Sequence, residues 1–324
     1  MNKKEEPTVS IVIPCYQSEK IIENVVDEII EVTSGLNIIE IILVDDGSPD
    51  QVWEKIETLT KKYDCVNGIL FARNFGQHSA LMAGYRMATG DFIVTMDDDG
   101  QSDPNGIRLL IDKIVEGYDV VYAKYPKFEK TAFRKFGSYM NRVMAESMID
   151  KPKGIQANSF YIMRKFVKDE IIRYEHSYPY IGGLVFRATQ NITEVEINHR
   201  NRAEGNSGYN LRKLLLLWLN GFTEFSIKPL RLASYIGILC SLVGFAIGIY
   251  SIIRRLLNPN ILMGYSSLFA AITFIGGIIM MMMGMMGEYI GRIYISINCS
   301  PQYVIKTTIQ KKADIQDKEN SYLD

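Results

Sequence analysis

From residue 9 onward, short unbroken apolar runs alternate with longer segments of helical period. The run VSIVIPCY, residues 9–16, has the length and branched content of a buried strand. EKIIENVVDEIIEV, residues 19–32, sets Ile21, Ile22, Val25, Val26, Ile29 and Ile30 on one helical face. IIEIILVDDGS, residues 38–48, reads as a second strand that stops at two acids and a turn. A helix to about Tyr63 comes next, then a strand GILFAR, a helix from about Gly76 to Ala88 and a strand DFIVTM. Asp103 and Pro104 supply an N-cap acid and a proline at the first helical position. The helix they open is expected to bury Ile107, Leu110, Ile111, Ile114 and Val115, and DVVYAKY is the strand after it. Strands alternating with helices predict an α/β domain with a mostly parallel sheet covered on both faces. The second half is less regular. Residues 130–150 have helical character, 160–163 and 193–199 look extended, and 210–225 are amphipathic.

The pattern changes after residue 231. From Leu232 to Ile253, 22 residues pass without a charge, and from Ile261 to Gly287 another 27 do so, including GGIIMMMMGMMG. About 20 apolar residues span a bilayer as a helix, so both stretches qualify. Only RRLLNPN separates them, which predicts a two-span hairpin. Arg212, Lys213, Lys228 and Arg231 precede it, and Arg292, Lys306, Lys311 and Lys312 follow it. These flanks place both ends in the cytoplasm and outweigh Arg254 and Arg255 of the connection. The expected organisation is a cytoplasmic domain over residues 1–209 and an amphipathic or interfacial helical segment over 210–230. A two-span transmembrane hairpin over 231–292 and a cytoplasmic polar tail over 293–324 complete it.

Net charge is -1 and pI is near 6.4, so nothing global recruits nucleic acid. Cys15, Cys65, Cys240 and Cys299 form no CxxC pair, and neither a zinc site nor a disulfide framework can be read from them. MNKKEEPTVS lacks an apolar core, so no cleavable signal peptide is expected.

In parallel sheets ligands bind beyond the carboxyl ends of the strands. Here those ends carry Pro14-Cys15-Tyr16, Asp45-Asp46-Gly47-Ser48, Arg73-Asn74 and Asp97-Asp98-Asp99. Three consecutive aspartates repel one another unless something neutralises them. On an extended segment Asp97 and Asp99 would point the same way and Asp98 elsewhere. Two carboxylates with diphosphate oxygens make a suitable shell for Mg2+ or Mn2+, which favour oxygen ligands.

The strand SIVIPCY, the turn DDGS, ARNFGQHSALMAG and MDDDGQ stand in an order that resembles inverting family 2 glycosyltransferases of the GT-A fold. RNFG, the later RAEGNSGY and the entry KPLRLAS into the hairpin make the chain similar to the polyprenyl-phosphate glycosyltransferases. The likeness runs over about residues 8–300. It implies a nucleotide-sugar donor, a UDP-sugar, and a polyprenyl-phosphate acceptor such as undecaprenyl phosphate, met at the cell membrane. It also implies that Pro14, Tyr16 and Glu19 line the nucleotide pocket and that Asp45 and Asp46 hydrogen-bond base and ribose. Asp97 and Asp99 would hold the metal, with Asp98 and Gln101 close to the sugar-diphosphate. Arg134 with Ser138, and Arg202 with Ser207 and Tyr209, match positions near the acceptor phosphate. Arginine suits that task because its planar fork binds phosphate bidentately.

The chain departs from the family's pattern at several positions. Gln17-Ser18-Glu19 replaces an Asn-Glu-Glu run, Gln77 and Gly208 replace lysines, and Ser159 replaces an aspartate considered a catalytic base. No general base is assigned, because a phosphomonoester is already largely dianionic at neutral pH. A processive polysaccharide synthase of the same family is the rival reading, but it carries Q-x-x-R-W. Neither Trp53 nor Trp218 follows an arginine. A non-catalytic membrane scaffold that binds nucleotide sugar is the other rival, and the Asp97/Asp99 pair argues against it. A homo-oligomer is compatible with the sequence.

Overall fold

The computed structural model describes residues 7–125, 152, 154–197, 265–297 and 301–311, with scattered helical positions between 235 and 257. The chain divides into two compact units. One comprises Met1–Met140, Asp150–Ser207 and Ser300–Asp324, the other Asn141–Ile149 and Gly208–Cys299.

In the first unit the apolar runs become strands and the periodic segments become helices. The order is β1 (Val9–Cys15), α1 (Ile22–Val32), β2 (Ile38–Asp45), α2 (Val52–Lys62), β3 (Val66–Phe71), α3 (Gln77–Met87), β4 (Phe92–Thr95), α4 (Gly106–Val115) and β5 (Val120–Lys124). After the undescribed residues come β6 (Tyr161–Arg164), α5 (Lys165–Ile171), α6 (Ile181–Ala188) and β7 (Ile192–Glu196). A last strand, β8 (Ile305–Ile309), follows residue 300. Together they form an eight-stranded sheet in the order β7-β5-β6-β4-β1-β2-β3-β8.

The fold is the α/β sandwich that the sequence predicts. β1 pairs in parallel with β2 and with β4, and β2 in parallel with β3. β1 is buried at every residue, as a central strand covered on both faces must be. Ile22, Val25, Val26 and Ile29 of α1 are buried against it, and Ile21 and Ile30 pack at the margin. On α4 the buried face is Ile107, Leu110 and Ile114, whereas Val115 is 56% exposed. Val115 lies one residue, about 100° of helix, past Ile114 and leaves the stripe that faces the sheet. Asp103 acts just before α4, where its Oδ1 accepts the Asn105 amide at 3.0 Å.

Two strands reverse direction. β6 runs antiparallel to both β4 and β5. Thr95 stands opposite Tyr161, and their hydroxyls meet Tyr85 of α3 in a buried network. Tyr85 Oη lies 2.7 Å from Thr95 Oγ1 and 2.6 Å from Tyr161 Oη. A paired buried hydroxyl avoids the cost of an unmade hydrogen bond and so fixes α3 against the β4–β6 seam.

The second reversal lies within the segment read as a polar tail over 293–324, where Ile305–Ile309 pairs antiparallel with β3 at the sheet edge. Tyr303 stacks on Phe71 with ring centroids 5.0 Å apart and accepts a 2.7 Å hydrogen bond from Arg86 Nη1. Gln302 Nε2 donates to the carbonyls of Tyr174 and His176, and the Lys311 amide donates to Asn67 Oδ1. The segment therefore closes an edge that would otherwise present unpaired backbone groups.

The second unit contains α7 (Tyr265–Ile297), 33 residues long. Its apolar window Phe274–Gly291 has mean hydropathy 1.4, and none of that window is buried within the protein. The described positions from 235 to 257 are helical too.

Tyr303→Ala removes the stacking partner of Phe71 and the acceptor for Arg86. It is expected to destabilise the first unit by about 1–3 kcal/mol. Thermal unfolding of the two proteins side by side checks this, and an unchanged midpoint would show that β8 adds no stability there.

Candidate active site

Since β1 to β4 are parallel, their carboxyl ends meet at one edge, and the loops that leave them are tied to one another by carboxylates. Asp45 is 1% exposed, and its Oδ1 accepts the Ser48 amide at 2.8 Å. Asp46, equally buried, takes two amides of the loop before α3, Phe75 N at 2.7 Å and Gly76 N at 2.8 Å. Gly47 between the acids and Ser48 has φ 61°, and a Cβ there would lie 2.4 Å from the Arg73 carbonyl carbon. Only glycine lets the β2 turn and the β3 loop pass so closely.

The β1 loop is stapled to the β2 loop in the same manner. The Gln17 amide donates to Ser48 Oγ at 2.8 Å, and the Glu19 amide to Asp50 Oδ2 at 3.0 Å. Glu19 returns the contact by accepting the Gln51 amide through Oε2 at 3.2 Å. Pro14 is buried at the end of β1, two residues beyond the point where its ladder with β4 stops at Val12–Thr95. Tyr16, 46% exposed, follows it, and its amide donates to Asp98 Oδ2 at 2.9 Å.

β4 ends at Thr95, and Asp98 and Asp99 lie in a bend beyond it. Asp98 turns to β1. Asp97 accepts Gln77 Nε2 on Oδ1 at 2.8 Å and the Ser159 hydroxyl on Oδ2. Asp99 accepts the amide of Gln101 at 3.0 Å and its side-chain Nε2 at 2.6 Å. Asp97, Asp98, Asp99 and Gln101 are all partly open to solvent.

Charge accumulates here, and Asp45, Asp46, Asp97 and Asp98 resist ionising. Burial is the main cause at Asp45, which is pushed up to about 6, with the charges of Asp50 and Asp46 adding to it. Burial also raises Asp98 to about 6, helped by Asp97. Asp46 and Asp97 shift upward for the same first reason, and at Asp97 the charge of Asp99 adds to it. Asp97 and Asp99 stand two residues apart at the end of β4. Their hard oxygen donors fit a divalent cation, which would reverse the shift. Among the described residues no three His, Cys, Asp or Glu groups gather around one point, so diphosphate and water would complete its shell.

The structure thus brings Pro14, Tyr16, Glu19, Asp45, Asp46, Asp97, Asp98, Asp99 and Gln101 to the loops of one sheet edge. Arg134, Ser138, Arg202, Ser207 and Tyr209 lie outside the described residues. Gln77 and Ser159, noticed in the sequence only as departures from a pattern, prove to be partners of Asp97. For Ser159 the signal is register. Continuing Thr95–Tyr161 by two residues along the antiparallel pair sets Asp97 opposite Ser159.

Residues 10–177, which take in all four strand ends, match the family described as Glycosyl transferase family 2. The chain belongs to glycosyl transferase family 2. Residues 228–293 of this glycosyltransferase match the GtrB C-terminal hairpin. Among curated relatives, it is 36% identical to the uncharacterized glycosyltransferase YkcC of Bacillus subtilis, over 95% of each chain. It is 32% identical to the undecaprenyl-phosphate 4-deoxy-4-formamido-L-arabinose transferase of Proteus mirabilis, over 96% of this chain and 97% of that one. The enzyme of that name from Yersinia pestis is 33% identical, over 93% of each. Among solved structures, glucosyl-3-phosphoglycerate synthase of Mycobacterium tuberculosis, in complex with Mn2+ and UDP-glucose, superposes with TM-score 0.50. It shares 18% identity over 67% of this chain and 77% of that one, and the likeness shows a common GT-A fold.

Asp45 offers a test of the buried charge. Its folded pKa, about 6, lies above the ordinary carboxylate value, so the unfolded chain gives up this proton more readily. Ionisation of Asp45 therefore costs stability as pH rises from about 4 through 6. Asp45→Asn keeps an acceptor for the Ser48 amide and removes the charge. It is expected to stabilise the glycosyltransferase by up to about 3 kcal/mol at pH 7.5, with little gain at pH 4. Melting curves at the two pH values decide it, and a less stable variant at pH 7.5 would contradict the reading.

Proposed function

We propose that this glycosyltransferase moves a single sugar from a UDP-sugar onto a polyprenyl phosphate such as undecaprenyl phosphate, at the cytoplasmic face of the cell membrane. The observation that carries the acceptor class is the union in one chain of the strand-end site with α7, whose apolar window is unburied. A 33-residue helix is about 50 Å long, more than the roughly 30 Å hydrocarbon core requires. With Leu232–Ile253 it would make a two-span anchor. Confinement to the bilayer raises the effective concentration of an acceptor whose phosphate lies at that surface. The Proteus and Yersinia relatives support the acceptor, since they are named as undecaprenyl-phosphate transferases and match over nearly their full length. The Mn2+ and UDP-glucose of the mycobacterial neighbour agree with the donor and cation chosen here.

On this reading Pro14, Tyr16, Glu19, Asp45, Asp46 and Asp98 form the nucleotide pocket, and the carboxylates of Asp46 and Asp98 also hold its loops in place. Mg2+ or Mn2+ bound by Asp97 and Asp99 would offset the charge that develops on the diphosphate as it leaves. Gln101, fixed by Asp99, sits beside the sugar-diphosphate. Arg134, Ser138, Arg202, Ser207 and Tyr209 receive the acceptor phosphate. One oxygen of that phosphate attacks the anomeric carbon from the face opposite the diphosphate, the bond to the diphosphate breaks, and the configuration inverts. The attacking oxygen carries no proton in the dianion, so the chain has to position and screen it, not deprotonate it.

Asp99→Asn is expected to abolish transfer while leaving the fold intact by circular dichroism. Arg202→Ala is expected to lower kcat/KM for polyprenyl phosphate by about 2–3 kcal/mol with donor binding little changed. Arg202→Lys should rescue it only in part. Rates against acceptor concentration at saturating donor check both. Normal turnover of Asp99→Asn would refute the metal assignment, and an Arg202→Ala enzyme with unaltered acceptor kinetics would refute the acceptor assignment.

A further inference from the structure

Asp97 is held from two sides by elements far apart in the chain. Gln77, at the start of α3, donates through Nε2 to Oδ1 at 2.8 Å, and Ser159, just before β6, donates through its hydroxyl to Oδ2. Both supports are themselves anchored. α3 is fixed to β4 and β6 by the Tyr85, Thr95 and Tyr161 hydroxyls, which lie eight residues along from Gln77 and two from Asp97 and Ser159. The clamp therefore stands beside a buried hydroxyl network that joins α3, β4 and β6.

Its chemistry is unusual in one respect: both donors are neutral. A carboxylate has about four lone-pair directions, two on each oxygen. Each donor uses one direction on its oxygen, which leaves one on each for a further partner. Hydrogen bonds that orient a ligating carboxylate are what a cation site needs around it.

We propose that Gln77 and Ser159 are positioning residues that aim Asp97 at the divalent cation. This rests on the reading of Asp97 as a metal ligand. Ser159 is thereby a donor to Asp97 and takes no proton from the acceptor. Removing either support should lower metal affinity without unfolding the domain.

The test measures Mn2+ binding by electron paramagnetic resonance on the full-length protein in detergent, with Mn2+ alone and with Mn2+ plus UDP. Asp97→Ala should abolish the binding. Gln77→Ala and Ser159→Ala should each weaken it about tenfold or more. Ser159→Thr, which keeps the hydroxyl, should bind nearly as the unaltered protein does. Melting midpoints within a degree or two of the starting protein would show that the losses are local. If Asp97→Ala binds Mn2+ normally, the metal reading itself fails. If Asp97→Ala is dead while Gln77→Ala and Ser159→Ala bind normally, the metal reading survives and the clamp is overturned.

Discussion

Five carboxylates, Asp45, Asp46, Asp97, Asp98 and Asp99, have to be held at one edge of a sheet, and the arrangement of the surrounding loops follows from how that is done. Carboxylates so crowded repel one another, and burial adds a further penalty to their charged forms. Backbone amides and neutral side chains absorb much of the strain. Asp46 takes two amides of the β3 loop, Asp98 takes one from the β1 loop, and Asp45 takes one within its own turn. Asp46, Asp97 and Asp98 are thus struts between loops as well as charges. A divalent cation would offset the charge that remains.

The rest of the first unit keeps those struts in register. β1 runs buried through the middle of the sheet, and β3 at its flank is closed by β8. Phe71 links the two ends of that support. It stacks on Tyr303 on one side and meets Phe75 edge-on at 5.8 Å on the other. Phe75 in turn gives its amide to Asp46 and lies under Arg73, whose guanidinium is 4.2 Å from the ring centre. Chain that follows the hairpin therefore braces a loop of the site. A carboxyl such as Asp45, whose ionisation opposes folding, is the kind of feature a protein retains for function at the expense of stability.

Much of this was legible in the sequence. The strands and helices from β1 to β5 follow from unbroken apolar runs and helical periodicity, and the acids at strand ends follow from where those runs stop. β6 reads as extended, but so short a run as YIMR carries no mark of direction, so its antiparallel course does not show. β8 escaped because IKTTI is an exposed edge strand without an apolar face, separated from its neighbour in the sheet by the whole hairpin. The site divides in the same way. Residues that belong to one strand end could be grouped by eye. The contacts of Asp97 with Gln77 and Ser159 depend on helix placement and on strand register, which appear only once the sheet is assembled.

The proposed donor site, cation and lipid anchor would converge on one product, a sugar joined to a polyprenyl phosphate. The most direct measurement incubates membranes that contain the full-length protein with a panel of labelled nucleotide sugars, with and without undecaprenyl phosphate, and extracts the lipid. The account predicts that label from one UDP-sugar enters the lipid phase only when both undecaprenyl phosphate and Mg2+ or Mn2+ are present. Label recovered as a water-soluble polymer, or lipid labelling that persists in excess EDTA, would contradict it.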